Sequence, residues 1–165
     1  MDKLDFVKRE FTDFEINISK EYRAMEIVNP HGKENIIVYY EAADDLVPYI
    51  VYFSYYHHHL ASEEEVIKVI NGIISGQTLA IEFFLCGMRR MGASINADDL
   101  VDLTYEKLGK VETFSWFFYE DSKLCEFADG FKVRGWLGDK DFDAVCDTDE
   151  NGSTIIVTSA PESLN

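Results

Sequence analysis

Residues Leu46 to Leu60 read LVPYIVYFSYYHHHL, and no other stretch restricts the fold as much. One alternation of this run carries Val47, Tyr49, Val51, Phe53 and Tyr55; the other carries Ile50, Tyr52 and Tyr56. Both faces of an extended chain would then be apolar or aromatic, which predicts a central strand covered on both sides. Pro48 fits near the start of such a strand, where no N–H is owed to a ladder. The run is about 15 residues long and rich in Tyr and His, short of the roughly 20 mainly apolar residues of a membrane span.

The flanking sequence supplies the neighbours. Leu4, Val7, Phe11 and Phe14 recur at helical spacing, with acidic residues early and basic ones later, so a helix is expected over residues 2 to about 14. Tyr22–Val28 and Ile36–Glu41 flank the turn-rich Asn29-Pro30-His31-Gly32-Lys33 and predict a hairpin, the first two strands of a three-stranded meander. After the histidines the period changes. Ser62 and Glu65 have the spacing of a capping box, Val66, Val69, Ile70, Ile73 and Ile74 form an apolar stripe, and Gly76 suits a left-handed helix end. Leu79 to Leu85 alternates as a strand. Asn96-Ala97-Asp98-Asp99 can cap a short helix through Leu108, strands are expected from Val111 to Phe127, and Asp129-Gly130 signals a hairpin before Phe131–Leu137. Thr154–Thr158 is the last expected strand. These elements predict an α+β fold, a mainly antiparallel sheet with helices packed on one face, in a single domain over 1–165 with 159–165 as a tail.

Charge narrows the function. With 31 acidic and 15 basic residues the chain carries a net charge of -16, which repels phosphate backbones and excludes direct nucleic-acid or anionic-membrane binding. The same field attracts a basic protein. Cys86, Cys125 and Cys146 are odd in number and lack a C-x-x-C spacing, so neither a disulfide framework nor a zinc site is indicated. The charged start MDKLDFVKREF has no apolar core of an export signal, and a cytoplasmic location is expected.

Three clusters merit a chemical reading. His57 and His59 share one strand face and offer two imidazoles to a metal while His58 points away. A catalytic zinc needs a third protein ligand, for which only Glu63 and Glu64 are near in sequence, so strand-finishing histidines are the primary expectation and a metal pair the alternative. Asp139, Asp141, Asp143, Asp147 and Glu150 fall at calcium-loop positions, but Ala144 stands where the turn requires Gly and no helices flank it. An acidic surface loop, including Asp149, is the better expectation. Ser54 lacks a G-x-S-x-G elbow and Cys86 an adjacent base, so no nucleophile is assigned.

The succession from Ile36 to about Arg90, an aromatic-rich strand ending in histidines, a Glu-rich capped helix and the apolar run Leu79–Gly87, resembles small bacterial immunity-type proteins of polymorphic or contact-dependent toxin systems. The resemblance implies a protein that binds and blocks a cognate toxin without cofactor or turnover. The expectation is therefore a non-enzymatic acidic domain that meets a basic partner through Asp98, Asp99 and Asp102 and through Asp139, Asp141, Asp143, Asp147, Asp149 and Glu150. The alternative is a metal-binding protein or metal-dependent enzyme using His57 and His59.

Overall fold

The computed structural model describes residues 2–41, 43, 46–85, 88–100, 129–149 and 152–159. After a 3₁₀ turn (Asp2–Leu4) and α1 (Asp5–Glu10), five strands follow as an antiparallel meander: β1 (Ile16–Ser19), β2 (Ala24–Ile27), β3 (Ile36–Tyr40), β4 (Tyr49–Phe53) and β5 (Tyr56–Leu60). Next come α2 (Glu63–Ile74), β6 (Thr78–Leu85), β7 (Met88–Asn96) and a 3₁₀ turn (Ala97–Leu100). With β8 (Gly130–Arg134), β9 (Phe142–Asp149) and β10 (Gly152–Ser159) they complete a second antiparallel sheet of order β10-β9-β8-β6-β7.

This arrangement overturns the α+β expectation. The described chain is mostly β, two antiparallel five-stranded sheets with only short helices, where one sheet with helices on a face was expected. Three strands that the apolar pattern does not announce account for the difference. β1 (INIS) is only four residues long, β7 (MRRMGASIN) is poor in β-branched and aromatic residues, and β9 (DFDAVCDTD from Asp141) is dense in carboxylates. Each is held by ladder partners rather than by its own propensity.

The single central strand over 46–60 is likewise corrected. Phe53 pairs with Tyr56 across the two-residue turn Ser54-Tyr55, so the run is a hairpin, with β5 at the edge of the sheet. Ser54 takes φ of 52°, the left-handed conformation that a tight hairpin turn demands and that Gly normally supplies. The first helix is also shorter than expected: Phe11 closes α1 by donating to the Val7 carbonyl at 3.0 Å, and Phe14 then donates to Phe11. Asp129 is a bend that leads into β8, and the strand that would precede the expected Asp129-Gly130 hairpin lies outside the described residues. The Asp129 N–H donates to the Phe84 carbonyl and its own carbonyl accepts from Cys146, so it extends the sheet between β6 and β9. The expected strands over 111–127, the extension of the Asn96 helix to Leu108 and residues 160–165 of the tail lie outside the described residues. Ser159 itself closes β10.

The expected hairpin of β2 and β3 is present, pairing Ala24 with Tyr39 through Ile27 with Ile36. So is the capped helix. Ser62 Oγ accepts the Glu65 N–H at 3.2 Å, the Glu65 carboxylate accepts the Ala61 N–H at 2.7 Å, and Gly76 follows the helix at φ of 71°. Val66, Ile70 and Ile73 are buried against β4 and β6.

Two cores result. In the first, Ile36, Val38, Val51 and Phe53 of the meander close over Phe6, Val7, the apolar face of α2, Ala80 and Trp136. The second sets Leu79, Ile81 and Phe83 of β6 against Ala93, Ile95, Phe131 and Val133. Each large side chain so buried contributes about 1.5–3 kcal/mol. The sheets are tied together as well as packed. Buried Asn29 donates from Nδ2 to the Trp136 carbonyl at 2.8 Å, and Gly92 of β7 lets the Tyr55 carbonyl approach where a Cβ would overlap it.

Candidate binding face

Strand alternation divides the meander into an inner face, which joins the first core, and an outer face turned away from it. Register fixes the outer face in two rows. One runs Asn17, Glu26, Ile37, Tyr52, His57; the other runs Ser19, Ala24, Tyr39, Ile50, His59. The rings on these rows touch in series. Tyr39 meets Tyr52 edge-on with centroids 5.2 Å apart, Tyr52 stacks on His57 at 4.9 Å, and His57 meets His59 at 5.1 Å. Tyr52, His57 and His59 are exposed while Ile50 beneath them is buried. The outcome is an aromatic stripe that crosses β3, β4 and β5.

At the other edge of the stripe an open groove of about 850 Å³ is lined by Tyr22, Tyr39 and Tyr52, with Arg23 and Glu41 as its charged groups. The loop between β1 and β2 builds one wall. Arg23 sits at φ of 49° and its carbonyl accepts the Tyr40 N–H, while the Tyr22 N–H donates to Ser19 Oγ and Tyr22 is 66% exposed. Glu41 is held by its own N–H, which donates to the Pro48 carbonyl at 2.7 Å. Farther along the first row, Glu26 accepts amide N–H groups from Asn17 at 3.0 Å and Asn35 at 2.9 Å. These bonds, Asn17 first, hold its carboxyl below the usual range, so it is ionised at neutral pH.

The residues singled out in the sequence lie elsewhere or form parts of this face. Asp98 and Asp99 are exposed in the 3₁₀ turn after β7, where Asn96 Oδ1 accepts the Asp98 N–H at 3.0 Å. Asp139 is exposed in the turn before β9. Asp141 is committed to structure: Oδ1 accepts the Gly135 N–H at 2.7 Å and Oδ2 lies 3.3 Å from Lys33 Nζ. Asp143 is engaged by Arg134 Nη2 at 2.6 Å, and Arg134 Nη1 also donates to the Phe142 carbonyl. Asp147 is exposed on β9, nothing is described of the Asp149 side chain, and Asp102 and Glu150 fall outside the described residues.

The calcium-loop spacing over Asp139–Glu150 is not realised as a loop. From Phe142 onward it is strand, whose alternation sends Phe142 and Ala144 into the second core and Asp143 and Asp147 the other way, so the carboxylates cannot converge. Among the described residues no group of three or more His, Cys, Asp or Glu is placed to hold a metal ion. Glu63, one of the two carboxylates near the histidines in sequence, lies 4.0 Å from Arg9.

His58 faces the opposite way from its neighbours. Its Nε2 is 3.4 Å from Ser94 Oγ and its ring meets Tyr56 edge-on at 5.1 Å, so it belongs to the seam between the sheets. Burial, then the charge of His57, lowers its pKa from the ordinary 6.5.

Tyr22, Arg23, Tyr39 and Glu41 were not singled out from the sequence. The signal that finds them is the phase of the strands: with the turn placed at Ser54, Tyr52 and His57 fall opposite one another and Tyr39 joins their face. No family model, curated protein or solved structure matches this chain.

Proposed function

We propose that the chain is a non-enzymatic acidic domain that docks a basic protein through the outer face of its meander. The observation that carries this reading is the Tyr39–Tyr52–His57–His59 stripe, exposed at Tyr52, His57 and His59, beside a tyrosine-lined groove, in a chain of net charge -16. Tyrosine gives large contact area at little entropic cost and is enriched where binding energy concentrates. Its ring face attracts guanidinium and ammonium groups, and Glu26 and Glu41 add carboxylates for the same cations. The exposed Asp98, Asp99, Asp139 and Asp147 act at longer range, raising the encounter rate rather than making the central contacts.

The resemblance of residues 36–90 to immunity-type proteins gives the reading its narrower form: the partner is a toxin domain, neutralised by being covered in the cytoplasm, with no cofactor involved. No helix among the described residues is long and apolar enough to cross a membrane.

The test is capture from lysate of the source cells by wild-type protein and by a Tyr39→Ala, Tyr52→Ala variant of equal melting temperature. A basic protein identified by mass spectrometry, retained by the wild type, eluted by salt and lost from the variant, is the expected result. Equal retention by both baits rejects this face as the docking surface.

A further inference from the structure

Independently of the docked partner, we infer that His57 and His59 form an open two-imidazole site for a divalent late first-row transition metal, with Cu(II) held most tightly. The two residues are i and i+2 on β5, so the pleat aims both side chains from one face, and both are exposed at the sheet edge. The separation of the rings is the strongest argument. A metal–nitrogen bond of about 2.0–2.1 Å and a ring radius of roughly 1.1 Å place each centroid about 3.2 Å from a shared ion. Two imidazoles on that ion then have centroids about 4.5 Å apart at the right angle that Cu(II) favours and about 5 Å apart at a tetrahedral angle, a range that small side-chain torsions span. The observed separation is 5.1 Å.

The present edge-on contact, with an interplanar angle of 70°, does not aim both nitrogens at one point. Rotation about a Cβ–Cγ bond corrects this at small cost, because the ring centroid lies close to that axis and stays in place while the nitrogens move. Stacking on Tyr52, tilted by 28°, fixes the plane of His57, so His59 is the ring that turns.

Donor type selects the metal. Imidazole suits Cu, Ni and Zn, and the order of affinity for a given nitrogen site places Cu(II) first. With no third protein donor among the described residues, the remaining coordination positions are open to water or to a ligand from outside the chain.

The experiment is titration of untagged, chelator-treated protein with Cu(II), Zn(II) and Ni(II), read by calorimetry and by quenching of tyrosine fluorescence. Wild-type protein is expected to bind one Cu(II) more tightly than Zn(II) or Ni(II). Affinity should fall at least about tenfold in His57→Ala or His59→Ala, where one of two donors is gone. His58→Ala, whose side chain faces the sheet seam, is the control and should leave the affinity unchanged. Circular dichroism and melting temperature establish that each variant is folded. Undiminished Cu(II) binding in the folded His57→Ala, His59→Ala double variant places the ion on surface carboxylates and overturns the inference. An equal loss in His58→Ala, or no saturable binding by wild-type protein, overturns it as well.

Discussion

Ser54 carries two local costs at once. It holds a left-handed φ of 52°, and its Oγ is buried with no hydrogen-bond partner among the described residues. Left-handed backbone costs an L-residue roughly 1–2 kcal/mol, an unpaired buried hydroxyl roughly 1–3, while Gly gives back only about 0.5–1 in unfolded-state entropy. Ser54→Gly should therefore raise stability by about 1–4 kcal/mol, read as a higher urea midpoint at unchanged m; a lower midpoint would show that the hydroxyl is paired in solution. Gly92 is the opposite case, because its missing side chain is what admits the Tyr55 carbonyl. Gly92→Ala forces backbone apart rather than a flexible side chain. Its cost should exceed the usual overpacking loss of roughly 1–3 kcal/mol, measured by denaturant melts, and a near-neutral result would mean that the sheets do not meet there.

The histidines of β5 act as an element, and their pH response follows from their environment. Burial, and then a neighbouring imidazole, lowers the pKa of both His57 and His58 from 6.5. Unfolded chain takes up protons near 6.5 and folded chain only at lower pH, so between the two the unfolded state binds more protons. Stability should fall as pH drops below about 6.5 and be flat above it, from this pair, with a smaller fall in His58→Gln. Glu26 works at more acid pH. Its pKa is lowered from 4.5, so the stability it adds is present above that value and is lost as pH falls through the folded pKa. Melting temperature against pH separates the two ranges, and a profile unchanged by His58→Gln would contradict this assignment.

Legibility differed between elements for reasons the residues make plain. α2 could be read in full because stripe, cap and terminal Gly agree: Ser62, Glu65, Val66, Ile70, Ile73 and Gly76 all behave as their types dictate. The β2–β3 hairpin was legible from its turn cluster. The hairpin of β4 and β5 was not, since Ser54 and Tyr55 are not the Gly or Asn that normally announce such a turn and the aromatic run masks the break. β9 was hidden by its carboxylates, although Phe142, Ala144 and Cys146 already alternated beneath them. With those strands unseen, two sheets could not be told from one. The outer face shared their fate: its stripe exists only once Tyr52 and His57 are placed on paired strands.

For the whole molecule, charge and shape make separate contributions to binding. The net charge of -16 governs encounter over a Debye length, about 8 Å at physiological salt, whereas Tyr39 and Tyr52 act only on contact. Dispersed carboxylates such as Asp98 and Asp99 belong to the first effect, and Asp141 and Asp143 are already engaged within the fold by Gly135 and Lys33 and by Arg134. The most direct measurement is the association rate of the captured basic partner at low and high ionic strength, for wild-type protein and for Tyr39→Ala, Tyr52→Ala. The rate should fall roughly 10- to 1000-fold with salt in both proteins, together with faster dissociation in the variant alone. A rate indifferent to salt, with dissociation indifferent to the tyrosines, would contradict the proposed docking.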